Sequence, residues 1–286
     1  MRSLIPKVEA LTAGLLDELA TKGPPADLHA ELAVPLPVLV ICELLGVPYA
    51  DRDQFRALTQ DVANVSDHAR SESALAELYR YGLTLVEHKR AHSDDDIISR
   101  LCATDGVSDT EAAEMSMALL FAGHETTVVR IGHGALMLLT DRDQWQKLLD
   151  DPSLIPHAVE ELMRATTTGG GVGGIPRYAR TDFDVDGVKV NLGDLVLLDI
   201  AAANHDPAVF GDPDHVDITR RAAIHLGFGH GAHYCIGAPL ARIELKTVFA
   251  QLIPRFPTMR LAVDPASITL RSDVLAGGLV ELPVCW

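Results

Sequence analysis

The sequence predicts a mainly α-helical fold with small β-sheets, built as one domain over residues 1–286, on three observations. Apolar residues recur at helical spacing through most of the chain, beginning with Ile5, Val8, Leu11, Leu15, Leu16 and Leu19. Ser108-Asp109-Thr110-Glu111 is a capping box, and the helical pattern that it opens continues without proline to about Thr140. Strand-like alternation is confined to short stretches of the C-terminal half, around the hairpin signal Asp186-Gly187 and in the tail. At 48% hydrophobic and 22% charged residues, the chain can bury a large core without disulfides.

The elements follow in order. A first amphipathic helix covers residues 3 to 20, and after Gly23-Pro24-Pro25 a second runs to about Leu45, stopped by Gly46 and Pro48. Two more span roughly 51 to 64 and 70 to 91. Asp94-Asp95-Asp96 then caps a short helix, and its carboxylates read as capping groups and solvated surface. The helix opened at Ser108 is about 30 residues long, which at ~1.5 Å per residue is roughly 45 Å, the width of a domain. Its outer turns are apolar nearly all round, which implies burial, but its middle reads Ala122-Gly123-His124-Glu125-Thr126-Thr127. An acid beside a hydroxyl is costly in a buried helix and calls for a compensating role. Such a hydroxyl can bond back to a carbonyl one turn earlier and bend the helix, and the same geometry makes a local opening beside Gly123 for a small ligand.

Short helices around 145 to 149 and 153 to 166 come next, the second placing Glu161 and Arg164 on one face. Gly169-Gly170-Gly171-Val172-Gly173-Gly174 spells G-x-G-x-x-G, but it follows a helix and opens none, so it reads as a connector. Strands are expected at 175 to 180 and 183 to 190, then an irregular stretch from Asn204 to Ile224. A helix over 239 to 252 closes at Pro254, and the tail forms short strands at 259 to 263 and around 268 to 284, turning at Gly277-Gly278.

Composition narrows the function. A formal net charge of −16 argues against a nucleic-acid partner, since phosphate binding is dominated by Lys and Arg. Four cysteines without framework spacing fit a reducing compartment, and the N-terminus carries no long apolar run, so a cytoplasmic protein without a membrane anchor is expected. The stretch Phe228-Gly229-His230-Gly231-Ala232-His233-Tyr234-Cys235-Ile236-Gly237 sets one thiol in a glycine-rich loop just before a helix start at Ala238-Pro239. Free N–H groups and the positive helix end favour a thiolate there. Gly229, Gly231 and Gly237 permit positive φ and close approach of a flat ligand. Alternatives are a buried free cysteine in a turn, or a metal site of His230, His233 and Cys235 with no second ligand cluster in the chain.

The spacing F-x-x-G-x-H-x-C-x-G resembles the haem loop of the cytochrome P450 family, and Ala122-Gly123-His124-Glu125-Thr126 resembles that family's A-G-x-[DE]-T motif. Glu161-Leu162-Met163-Arg164 is similar to its E-x-x-R motif, and the order of the three agrees. The resemblance implies a helical fold holding haem b (iron protoporphyrin IX) between the long helix and the cysteine loop. It implies Cys235 as the metal ligand, Phe228, Gly229, Gly231, Gly237, Ala122 and Gly123 around the cofactor, and Arg177 and His233 as propionate partners. Glu125 and Thr126 take the roles of proton delivery and oxygen binding. Where the family carries an arginine that completes the E-x-x-R lock, this chain is expected to offer His215, within Gly211-Asp212-Pro213-Asp214-His215.

The implied activity is a monooxygenase that takes dioxygen, electrons from a ferredoxin or similar protein, and a small apolar organic substrate, and that acts as a monomer. Leu119, Ala122, Val172, Ile175 and Leu275 are the expected pocket walls. Relatives carry a further N-terminal region, so this chain alone is expected to expose apolar surface and hold haem weakly.

Overall fold

The computed structural model describes residues 2–166, 175–220, 224–274 and 276–286. The chain begins with α1 (Ile5–Lys22), a two-residue strand β1 (Ala26–Asp27) and one π-type turn over His29–Ala33, then α2 (Pro35–Leu45). Helices α3 (Arg52–Val62), α4 (His68–Ala91), α5 (Ile97–Cys102), α6 (Asp109–Thr140), α7 (Arg142–Asp150) and α8 (Ile155–Ala165) follow. Strands β2 (Ile175–Tyr178), β3 (Phe183–Val185), β4 (Val188–Val190) and β5 (Leu195–Leu198) lead into the short α9 (Ile200–Asn204). The chain closes with α10 (Ala238–Arg255), β6 (Arg260–Leu261) and β7 (Pro283–Cys285).

The capping box at Ser108 forms as expected. Its hydroxyl accepts from Glu111 N–H at 3.2 Å while Glu111 Oε2 accepts from Ser108 N–H at 2.9 Å, fixing where the 32-residue α6 starts. This helix is the axis of the core, touching α2, α4, α5, α7, α8 and α10. Leu120, Ala135 and Leu138 are sealed within it, and Trp145, Phe249 and Leu252 pack in the same cluster. Each buried leucine or phenylalanine side chain stabilises by about 1.5–3 kcal/mol. Close approach depends on two glycines of α6. A Cβ at Gly123 would lie 2.7 Å from Ile41 Cδ1 of α2, and one at Gly134 would lie 2.9 Å from Phe249 Cζ of α10.

Three small antiparallel sheets complete the mainly α architecture: β1-β7-β6, β2-β5 and β3-β4. Asp186 and Gly187 have φ of 50° and 83°, the left-handed pair that a two-residue hairpin between β3 and β4 demands. Ile175 pairs with Leu198 and Tyr178 with Leu195 across β2-β5, and both strands are largely exposed.

Several expectations are corrected. The second helix is not continuous from Pro25: Pro35 and Pro37 restart it, because proline suits a first helical turn, and β1 and the π-type turn occupy the gap. Pro254 lies inside the last turn of α10 rather than closing it. Of the acidic run, Asp96 is a buried N-cap: it accepts from Ser99 N–H at 2.7 Å and pairs with buried Lys89 at 2.5 Å, so only Asp94 and Asp95 are solvated. The glycine-rich connector at 169–174 lies outside the described residues.

Candidate functional site at a cysteine loop

The loop around Cys235 is built from backbone geometry. Cys235 N–H donates to Phe228 O at 2.9 Å, Tyr234 N–H to Gly231 O at 3.0 Å and Gly229 N–H to Leu226 O at 2.8 Å. Gly229 and Gly231 both have φ of 71°, a conformation that L side chains rarely adopt. Gly237, by contrast, has φ of −80° and caps α10, so its lack of a side chain is not demanded by backbone strain. The Cys235 thiol is exposed one turn ahead of α10, and next to it Ile236 is 81% exposed. Phe228 is buried beneath the loop, whereas His230 and His233 are exposed. No group of three or more His, Cys, Asp or Glu side chains placed to hold a metal ion occurs among the described residues, so the His230–His233–Cys235 alternative has no geometric support.

In the middle of α6, Ala122 and Thr126 lie on an exposed face one turn apart, and Thr126 Oγ1 donates to Ala122 O at 2.8 Å. The helix is unbroken there. The space beside Gly123 is taken by Ile41, so the expected opening is replaced by tight packing of α2 on α6. Glu125 points the other way and is buried. Burial pushes its carboxyl pKa up, opposed by the positive charge of Arg271 and reinforced by Asp273. Glu125 lines a small polar cavity with His29, Gln60, His124, Arg271 and Gly278. His124 is held neutral, its pKa lowered to about 4 by burial and by Arg56, and its Nδ1 lies 3.2 Å from Thr59 Oγ1 on α3.

The Glu161–Arg164 pair is buried and bidentate, with Nε and an Nη each 2.8 Å from a carboxylate oxygen. The third arm is not His215. Arg220 Nε donates to Glu161 Oε1 at 3.1 Å, joined by Asp217 N–H at 3.0 Å. His215 contributes only its carbonyl, which accepts from Arg164 at 3.4 Å and from Arg220 at 3.1 Å. Its imidazole lines a surface groove with Asp141, Asp143 and Lys147. An imidazole is too short to serve Glu161 and the carbonyls of Gly211 and Asp212 together, as the Arg220 fork does. A sequence signal existed, since Arg220 and Arg221 are the only arginines between Arg180 and Arg242.

Arg177 is exposed on β2, donating to Pro176 O at 2.8 Å. Among the expected pocket walls, Leu119 is half-buried and Ala122 and Ile175 are exposed, while Val172 and Leu275 lie outside the described residues. Sequence reasoning also missed the hydrogen-bonded cluster of Glu160, Arg242 and His225 under the cysteine loop, in which Glu160 and Arg242 form an ion pair. The chemistry of this donor set fits haem. A macrocycle that supplies four nitrogens of its own needs a single protein ligand with open space before it, and the exposed sulfur of Cys235 beside open, apolar Ile236 meets both conditions.

The model of the family described as cytochrome P450 matches residues 53–275. Mycinamicin IV hydroxylase/epoxidase of Micromonospora griseorubida is 40% identical over 290 residues, covering 99% of this chain and 73% of that protein. Vitamin D(3) 25-hydroxylase of Pseudonocardia autotrophica is 42% identical over 290 residues, covering 99% of this chain and 71% of its own length. The crystal structure of the LnmA cytochrome P450 hydroxylase from the leinamycin pathway of Streptomyces atroolivaceus superposes with a TM-score of 0.94 at 40% identity, over 100% of this chain and 75% of that one. Among the described residues no helix is long and apolar enough to cross a membrane. On its sequence, its fold and its cysteine loop together, the chain belongs to the cytochrome P450 family of haem b-binding oxidoreductases.

Proposed function

We propose that this single-domain protein is a haem-thiolate monooxygenase for a small apolar organic substrate, with electrons supplied by a ferredoxin or a similar electron-transfer protein. The observation that carries the reading is the exposed Cys235 sulfur at the end of a loop whose ends are tied together by the Cys235–Phe228 backbone bond. When bound, haem supplies dioxygen activation, one oxygen atom going to the substrate and the other leaving as water. The chain's own residues have distinct parts. Cys235 would ligate the haem through Sγ, and the exposed Arg177 and His233 would hold the propionates. Phe228, Gly229, Gly231 and Gly237 would shape one side of the cofactor site and Ala122 the other, while Gly123 serves the packing of α2 on α6.

Thr126 presents its hydroxyl on the open face of α6. Its hydrogen is committed to Ala122 O, which leaves its lone pairs free to accept a bond. Glu125, whose pKa is raised by burial, is next to Thr126 in sequence but faces the polar cavity behind α6, and it takes the role of proton delivery from that side. Leu119 and Ile175 contribute apolar wall, consistent with an apolar substrate.

The chain supplied with haemin, reduced and exposed to carbon monoxide, is expected to give a red-shifted thiolate-type Soret band that Cys235→Ala lacks. A wild-type chain without that band, or a variant that keeps it, overturns the proposal.

A further inference from the structure

The Cys235 loop leaves the body of the fold at Phe228 and returns at Tyr234, and one side chain touches both ends. Arg242 of α10 places its guanidinium 4.3 Å from the centroid of the buried Phe228 ring and donates to Tyr234 Oη at 3.1 Å. The two rings meet with centroids 6.4 Å apart. Because Cys235 N–H donates to Phe228 O at 2.9 Å, the residue that bears the sulfur is tied to the same neck.

Arg242 has little freedom of its own. Its Nε and an Nη donate to the two carboxylate oxygens of Glu160 on α8 at 2.7 and 2.8 Å, the forked geometry that fixes a guanidinium plane. His225 completes the set. Gly227 N–H donates to His225 Nδ1 at 3.0 Å, so the ring proton resides on Nε2, which lies 3.1 Å from Glu160 Oε2 and donates to it. Burial pushes the Glu160 carboxyl up, but these bonds from Arg242 and His225 outweigh it and lower its pKa to about 2, so it stays ionised at neutral pH. An isolated surface ion pair would contribute little. This one is bidentate, shares its acceptor with a histidine, and ends on two aromatic rings at the neck of the loop.

We infer that Glu160 and Arg242 are positioning residues for the Cys235 sulfur, Glu160 holding Arg242 in the plane from which it grips Phe228 and Tyr234. The inference rests on Cys235 being the haem ligand, and it adds a support running from α8 through α10 to the loop, separate from the Glu161–Arg164–Arg220 lock.

The test measures backbone hydrogen exchange in the haem-free chain together with the reduced carbonyl spectrum of the haem-loaded protein, for Glu160→Gln and Tyr234→Phe. Exchange at the amides of Tyr234 and Cys235 is expected to rise about tenfold in Glu160→Gln and about threefold in Tyr234→Phe, with α8 and α10 unchanged. Part of the thiolate-type band is expected to move to the shorter-wavelength form that lacks a thiolate. Tyr234 is half exposed, so the milder variant keeps the test alive if Glu160→Gln does not fold. Unchanged exchange at both amides, or a rise shared equally by α8 and α10, overturns the inference. A wild-type protein with no thiolate band refutes the ligand reading instead, so the two failures are distinguishable.

Discussion

Replacing Arg220 with alanine and, separately, His215 with alanine sets the two candidate third arms of the buried lock against each other. Arg220→Ala removes one charge-assisted bond to Glu161 at 3.1 Å and the donors to the carbonyls of Gly211, Asp212 and His215 at 2.6, 3.0 and 3.1 Å. Glu161 keeps Arg164 and the Asp217 N–H, so it is not stranded as an unpaired buried charge, an event that costs about 3–5 kcal/mol. The three carbonyls lie toward the exposed side and can be rehydrated. The loss is therefore about 3 kcal/mol, close to one hydrogen bond to a charged group plus small terms for the carbonyls. For a domain of this size that lowers Tm by roughly 6 to 12 °C.

His215→Ala removes an imidazole with no bond to Glu161 and leaves its carbonyl in place, so its cost stays within about 0.5 kcal/mol. Thermal unfolding followed by circular dichroism on the two variants in parallel decides the matter. A His215→Ala shift as large as that of Arg220→Ala, or an Arg220→Ala shift below 2 °C, would refute the assignment.

Two further outcomes follow from the long helix. Gly123→Ala drives a methyl to 2.7 Å from Ile41 Cδ1 and is expected to cost about 1–3 kcal/mol; adding Ile41→Val, which deletes that carbon, should recover part of the loss in denaturant titrations. His124 titrates at about 4 in the fold against 6.5 as a free group, so the unfolded chain takes up a proton first as pH falls. Its contribution is complete above pH 6.5 and is lost between 6.5 and 4, amounting to roughly 2 kcal/mol by pH 5. Unfolding free energies at pH 7.5 and 5 should therefore differ less in His124→Gln than in the wild type, and an equal difference would contradict the buried neutral imidazole.

Legibility in the sequence followed the range of the interactions. The start of α6, the Asp186-Gly187 hairpin and the Cys235 loop were readable because their causes lie within a few residues: a capping box, a pair of left-handed φ values and a turn ahead of a helix. What joins distant segments was not. Arg220 meets Glu161 across 59 positions and Arg242 meets Glu160 across 82, and no local pattern marks either arginine as the partner of that carboxylate. His215 stands at the position of the string where an arginine is expected, whereas reach and hydrogen-bonding capacity select Arg220, which can serve four acceptors. Likewise Gly123 could be seen as special, but whether its missing side chain admitted a ligand or a neighbour was settled only by Ile41.

The reach of α6 also governs how the molecule comes apart. Because one helix is shared by α2, α4, α5, α7, α8 and α10, none of these six can keep its inner face dry once that helix melts. Loss of order in the interior is then all-or-none, and a blow struck at the far end of the protein registers as a change in the same single melting transition.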